Sequence, residues 1–155
     1  MVIGVGEFAV SADVSQRLVT FALGSCLGIV IVDPVAKVAG MLHVMLPDSN
    51  IENGCIDRPA RFVDTGVPIL FKEAYRLGAV KSRLLVRVAG GASATGTDAF
   101  QIGKRNVLAL RKIFWRNGVL VHAQDVGGVQ VSRTMIAEVA TGAVWVRAGG
   151  QMHAL

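Results

Sequence analysis

Cysteine is scarce in this chain, which holds only Cys26 and Cys55. Two thiols are too few for a disulfide scaffold or a cysteine-rich zinc site. The expected setting is therefore cytoplasmic, with both thiols reduced. Aromatic residues are scarce too, at 6%, so Val, Leu, Ile and Ala must build the core. Charged residues make up 17% against 52% hydrophobic, which excludes a disordered tail. No apolar run reaches the roughly 18 residues a membrane-spanning helix needs, so no direct membrane insertion is expected. The opening MVIGVGEFAVSAD has no positive start and carries Glu7, unlike a signal peptide. His43, His122 and His153 are dispersed, with no close His/Cys/Asp cluster, so no metal is expected.

What is present is glycine, 18 residues of it, and a net charge of +5. The glycines imply many tight turns or close backbone approaches. The charge favours acidic partners. The cations are scattered, however, and the densest pairs, Lys104-Arg105 and Arg111-Lys112, suit the wet face of one helix. No nucleic-acid module is recognisable, so nucleic acid is not an expected partner.

Hydrophobic period and turn signals divide the chain into elements. Strands are expected over 2–10, 17–23, 27–33 and 38–46, the last two forming a hairpin around Asp33-Pro34. A polar loop spans 47–59 and contains Cys55. Apolar residues at 67, 70, 71, 74 and 77 give a helix over 67–77, with Pro68 in its first turn, Asp64 or Thr65 as cap and Gly78 at its end. A strand over 84–91 runs into Gly90-Gly91. A second helix spans 102–116, with Ile102, Val107, Leu110, Ile113 and Phe114 inward. Strands over 119–128, 131–142 and 143–149 follow, the last two joined at Thr141-Gly142. The expected fold class is mixed α/β: a strand-rich layered sandwich with seven or eight strands and two main helices, all in one domain over 1–155.

The run LVTFALGSCLGIVIVDP places Cys26 behind a Gly-Ser turn, and LHVML places His43 seventeen residues on. A hairpin centred near 35.5 sets position 26 opposite 45, with 43 a residue or two away, in range on a shared face. An imidazole there can take the thiol proton and later return one to a leaving amine. Amides around Gly24, Ser25 and Cys26 are candidate oxyanion donors, which makes Gly24 and Ser25 substrate-binding candidates. Thr20, on the adjacent strand, is available to hold the imidazole. A buried structural cysteine and a satisfied core histidine remain the alternative reading.

The run LGSCLGIVIVDP followed by GMLHVMLP resembles the signature of the CheD family of chemoreceptor glutamine deamidases. GAVKSRLLVRVAGGA, IGKRN, GVLVHAQDVGG and TGAVWV resemble later blocks of that family in the same order. The resemblance implies an α/β sandwich similar to that of bacterial toxin deamidases. It implies a cysteine-dependent hydrolase that deamidates receptor glutamine to glutamate, with Cys26 as nucleophile, His43 as base and acid, and Thr20 orienting His43. It also implies no cofactor. The partners it implies are methyl-accepting chemotaxis receptors and a CheC-type phosphatase. Ala89 before Gly90-Gly91-Ala92, and the segment after Asp125-Val126-Gly127-Gly128, depart from the family pattern, which leaves room for changed partner choice. A non-catalytic adaptor binding CheC or receptor is the second reading, and a small-molecule thiol amidase or esterase the third.

The remaining candidates have plainer readings. Ser25 suits a hydrogen bond within its turn rather than nucleophilic attack. Cys55 suits an incidental loop thiol. His122 is expected within a strand and His153 in a solvated tail. Asp125 suits a structural role near its Gly-Gly turn, and Arg105-Asn106 suit contacts with neighbouring loops. Trp115 and Trp145 suit core or interface. Gly90-Gly91 and Gly127-Gly128 fit neither a P-loop nor a dinucleotide fingerprint.

Overall fold

The computed structural model describes residues 1–52, 57–95 and 99–155; Cys55 lies outside them. Nine strands and two helices are present among these residues: β1 (Phe8–Ser11), β2 (Arg17–Leu23), β3 (Leu27–Asp33), β4 (Val38–Val44), α1 (Val63–Arg76), β5 (Leu85–Gly90), α2 (Ile102–Arg116), β6 (Ala123–Val126), β7 (Arg133–Glu138), β8 (Val144–Ala148) and β9 (Gln151–Ala154). They form a five-stranded sheet in the order β1-β4-β3-β5-β6 and a four-stranded sheet in the order β2-β7-β8-β9. The class is the expected mixed, strand-rich α/β sandwich.

Layering explains the sequence pattern. Every residue of β3 and β4 is buried, because the five-stranded sheet is covered on both faces. On one face Leu27, Ile29, Ile31, Leu42 and Val44 pack with Val67, Leu70, Phe71, Leu110 and Phe114 of the helices. On the other, Val30, Val32, Ala39 and Met41 pack against Leu18, Met135, Ala137 and Val146 of the four-stranded sheet. The β3–β4 hairpin keeps the register inferred from its turn, with Leu27 opposite Val44 and Gly28 opposite His43. At the far end of β3, Asp33 is buried and accepts the amides of Val35, Ala36 and Val80 and the Arg83 guanidinium.

Several boundaries differ from expectation. The strand expected over 2–10 is confined to β1, and residues before it cross between the sheets: Ile3 donates to Val19 O at 2.8 Å and Gly6 to His43 O at 2.8 Å. α1 begins four residues early, because Gly66 N already bonds Phe62 O at 2.8 Å. Pro68 therefore lies inside α1, beyond its first turn. Neither Asp64 nor Thr65 caps it. Asp64 accepts the Ser49 hydroxyl at 2.6 Å, and Thr65 donates to Pro59 O at 2.6 Å. Gly78 does end α1: its amide bonds Tyr75 O, and that of Ala79 bonds Ala74 O. β5 and β6 pair in parallel, so the connection between them has to cross over, and α2 is that crossover. β9 escaped the pattern because all four of its residues are exposed.

Candidate active site

The two sheets meet at one end in a buried polar contact. Thr20 and His43 are 0% and 1% exposed, and Thr20 Oγ1 lies 2.7 Å from His43 Nδ1. Thr20 comes from β2 in one sheet and His43 from β4 in the other. Plain alternation along β2 turns Thr20 inward with Leu18, in unbroken register opposite Met135 and Ala137 of β7. The register shifts only between Thr20 and Leu23, so Leu23 is buried as well while Phe21 and Ala22 face out.

The hydroxyl has one proton, and it goes to Ile3 O at 2.8 Å. Thr20 Oγ1 must then accept from His43, so Nδ1 carries the imidazole proton and Nε2 keeps its lone pair. Nε2 is buried and has no hydrogen-bond partner among the described residues. The His43 backbone is fixed as well, its amide bonding Glu7 O at 3.0 Å.

Cys26 immediately precedes β3 and packs with the inter-sheet core. Gly28 faces His43 across the hairpin, and Cys26 stands two residues earlier, diagonal to His43 on the same face. No hydrogen bond joins the sulfur to Nε2 in this arrangement; catalytic contacts often close only with substrate. Burial pushes the Cys26 thiol up, its own backbone amide opposing in part. Burial pushes the His43 imidazole down. The resting pair is therefore neutral thiol and neutral imidazole.

The loop carrying Cys26 is tied back carbonyl by carbonyl. Gly24 O accepts from Ala92 N at 2.8 Å, and Cys26 O from Gly91 N at 2.8 Å. Ser25 O accepts from Asn106 Nδ2 at 2.9 Å. The Ser25 hydroxyl, expected to bond its turn, makes no hydrogen bond among the described residues; the carbonyl is what is held. A Cβ on Gly90, at φ +112°, would stand 2.1 Å from Cys26 O. Only glycine lets β5 pass this close to the loop.

Other candidates fall elsewhere. His122 is exposed, just before β6, and accepts the Val86 amide at 3.1 Å. His153 belongs to β9 rather than a tail, with Nε2 3.4 Å from Asp125 Oδ2. Asp125 pairs with buried Arg133 at 2.8 Å. Trp115 is 83% exposed and not core. No group of three His, Cys, Asp or Glu side chains fit to hold a metal occurs among the described residues. No described helix is long and apolar enough to cross a membrane. Asn106 is the site-adjacent residue the sequence undersold. It sits where the 3.6-residue period calls for an inward residue, and an amide at a buried helical position was the available signal.

Comparison with known proteins places the chain in a family. The CheD family profile, described as CheD chemotactic sensory transduction, matches residues 45–148. That match starts after His43. Full-length relatives span the rest. "Probable chemoreceptor glutamine deamidase CheD 1" of Syntrophus aciditrophicus is 44% identical, over 97% of this chain and 94% of its own length. "Probable chemoreceptor glutamine deamidase CheD" of Solibacter usitatus is 44% identical over 100% of this chain and 92% of its own. "Chemoreceptor glutamine deamidase CheD" of Thermotoga maritima is 42% identical over 96% and 92%. A chain that matches these proteins at such identity over 96–100% of its length belongs to the CheD family.

Proposed function

We propose that this chain, acting as one domain, is a chemoreceptor glutamine deamidase with Cys26 as nucleophile, His43 as base and acid, and Thr20 as the residue orienting His43. The observation that carries the reading is the hydrogen-bond chain from His43 Nδ1 through the Thr20 hydroxyl to Ile3 O. It leaves Nε2 as the lone-pair nitrogen, on the face that also carries Cys26. The names of the relatives supply the substrate class, glutamine on chemoreceptors.

The chemistry balances without a cofactor. Nε2 takes the Cys26 proton as sulfur attacks the side-chain carbonyl carbon of glutamine. The oxyanion is met by backbone amides. That of Gly24 already donates to Ala22 O at 2.9 Å, which leaves those of Ser25 and Cys26. Protonated His43 gives its proton to the departing nitrogen, and ammonia leaves. Water, deprotonated by His43, then cleaves the thioester to glutamate and frees the thiol. Because burial holds both groups neutral at rest, the thiolate forms only as proton transfer accompanies attack.

Incubating the cytoplasmic part of a chemotaxis receptor with this protein should raise specific glutamine peptides by about one mass unit, as NH₂ becomes OH, with matching ammonia release. An unchanged receptor mass across several receptors argues against the reading. A CheC-type phosphatase is the proposed regulatory partner. Pull-down with a Cys26→Ala variant separates binding from turnover, and full biological rescue by that variant would favour the adaptor reading.

A further inference from the structure

Asn106 is fully buried on the inward face of α2. Its Nδ2 donates to two carbonyls, Ser25 O at 2.9 Å and Met45 O at 3.0 Å. Both partners are acceptors, so the nitrogen must face them. Its Oδ1 is buried without a partner among the described residues, and losing its hydration is unfavourable. The two donor bonds are what offsets it. Residues 25 and 45 flank the point where the β3–β4 ladder ends at Leu27 and Val44. Asn106 thus staples the hairpin one step beyond its last rung, beside the nucleophile.

Its reach depends on Gly103, one helical turn earlier. A Cβ there would lie 2.3 Å from Ala92 O and 2.6 Å from Gly91 O. The start of α2 therefore sits directly on the Gly90-Gly91-Ala92 turn, which holds the other two carbonyls of the loop.

A trans peptide is planar, and the carbonyl of one residue points opposite to the N–H of the next. Holding Ser25 O toward α2 turns the Cys26 N–H away from it. Holding Gly24 O on Ala92 does the same for the Ser25 N–H. We propose that Asn106 is a positioning residue: by drawing back the Ser25 carbonyl it presents the Cys26 amide to the oxyanion formed on the substrate. This rests on Cys26 being the nucleophile.

Two variants and one wild-type measurement test it. In Asn106→Ala and Asn106→Asp, kcat per folded molecule should fall about tenfold to a hundredfold, short of the 10²–10³ for loss of an oxyanion donor. KM and the rate of Cys26 alkylation by iodoacetamide should stay within about twofold. A purely structural role would lower Tm and the folded fraction but leave kcat per alkylatable Cys26 unchanged, and that result in both variants overturns the proposal. If neither variant folds, the wild type decides. [1-¹³C]Propanal is the glutamine side chain with hydrogen in place of NH₂, and its hemithioacetal on Cys26 carries the tetrahedral oxygen. The Cys26 amide ¹H resonance should move downfield as the ¹³C hemithioacetal signal appears. A hemithioacetal on Cys26 with that amide unmoved overturns the proposal and leaves the nucleophile standing. No adduct on Cys26 removes the nucleophile, and this proposal with it.

Discussion

Thr20 Oγ1 lies 2.7 Å from His43 Nδ1, although the two residues belong to different sheets. The contact links the packing of the sandwich to the protonation of the imidazole. Thr20→Val keeps the shape and removes the hydroxyl. Nδ1–H then loses its acceptor, and the preference for the reactive tautomer goes with it. The expected loss in kcat is about a hundredfold, with Thr20→Ser retaining most activity. Steady-state deamidation of a receptor fragment measures both.

The acceptor that settles this tautomer is a backbone carbonyl, Ile3 O. Deleting residues 1–5 frees the Thr20 hydroxyl to donate to Nδ1, which moves the imidazole proton to Nε2. Activity should fall with Thr20, Cys26 and His43 all in place. Imidazole ¹⁵N shifts report the exchange directly: the wild type should show a protonated Nδ1, the truncated chain a protonated Nε2. Burial of Ile3 means Tm falls as well, so activity is scored per folded molecule.

The pH profile follows from the direction of two shifts. His43 must be neutral to act, and burial holds its pKa below the ordinary 6.5. The acid limb of kcat/KM should therefore lie below pH 6.5, read as an apparent value of the Cys–His pair. The same shift bears on stability. A folded pKa below the unfolded one contributes stability present above pH 6.5, lost as pH falls through the folded value. For Cys26 the raised pKa works the other way, and stability is lost as pH rises past the ordinary 9.0 through the folded value. Denaturant titrations across this range test both signs.

Asp33 gives a prediction about stability without catalysis. Burial alone would raise its pKa, but Arg83 and the amides of Ala36, Val80 and Val35 hold it well below the usual carboxylate range. Its contribution is present above the ordinary 3.8 and is lost as pH falls below it. Asp33→Ala should cost about 3 kcal/mol by urea unfolding at pH 7. Activity per folded molecule should be unchanged, since Asp33 ends the strand that Cys26 precedes.

The hairpin and its register were legible because period, turn and length agreed: Leu27–Asp33 and Val38–Val44 are short, apolar and joined at Asp33-Pro34. α2 was legible for the same reason, matching 102–116. Sheet membership was not. Nothing local in RLVTFAL says that β2 leaves the sheet of β3, or that a bulge at Phe21-Ala22 brings Leu23 inward after Thr20. The start of α1 was missed because the polar stretch Asp64-Thr65-Gly66 masks a helix held by its neighbours. At the site, Thr20 and His43 were nameable, but the tautomer was not. It depends on a carbonyl at residue 3, and carbonyls leave no mark in a sequence.

The most direct test compares wild type with Cys26→Ala, each shown to be folded by circular dichroism, on one receptor fragment under intact and peptide mass spectrometry. The wild type should add about one mass unit at particular glutamines, and the alanine variant none at any enzyme concentration. Equal conversion by the alanine variant would contradict the sulfur chemistry on which the account stands.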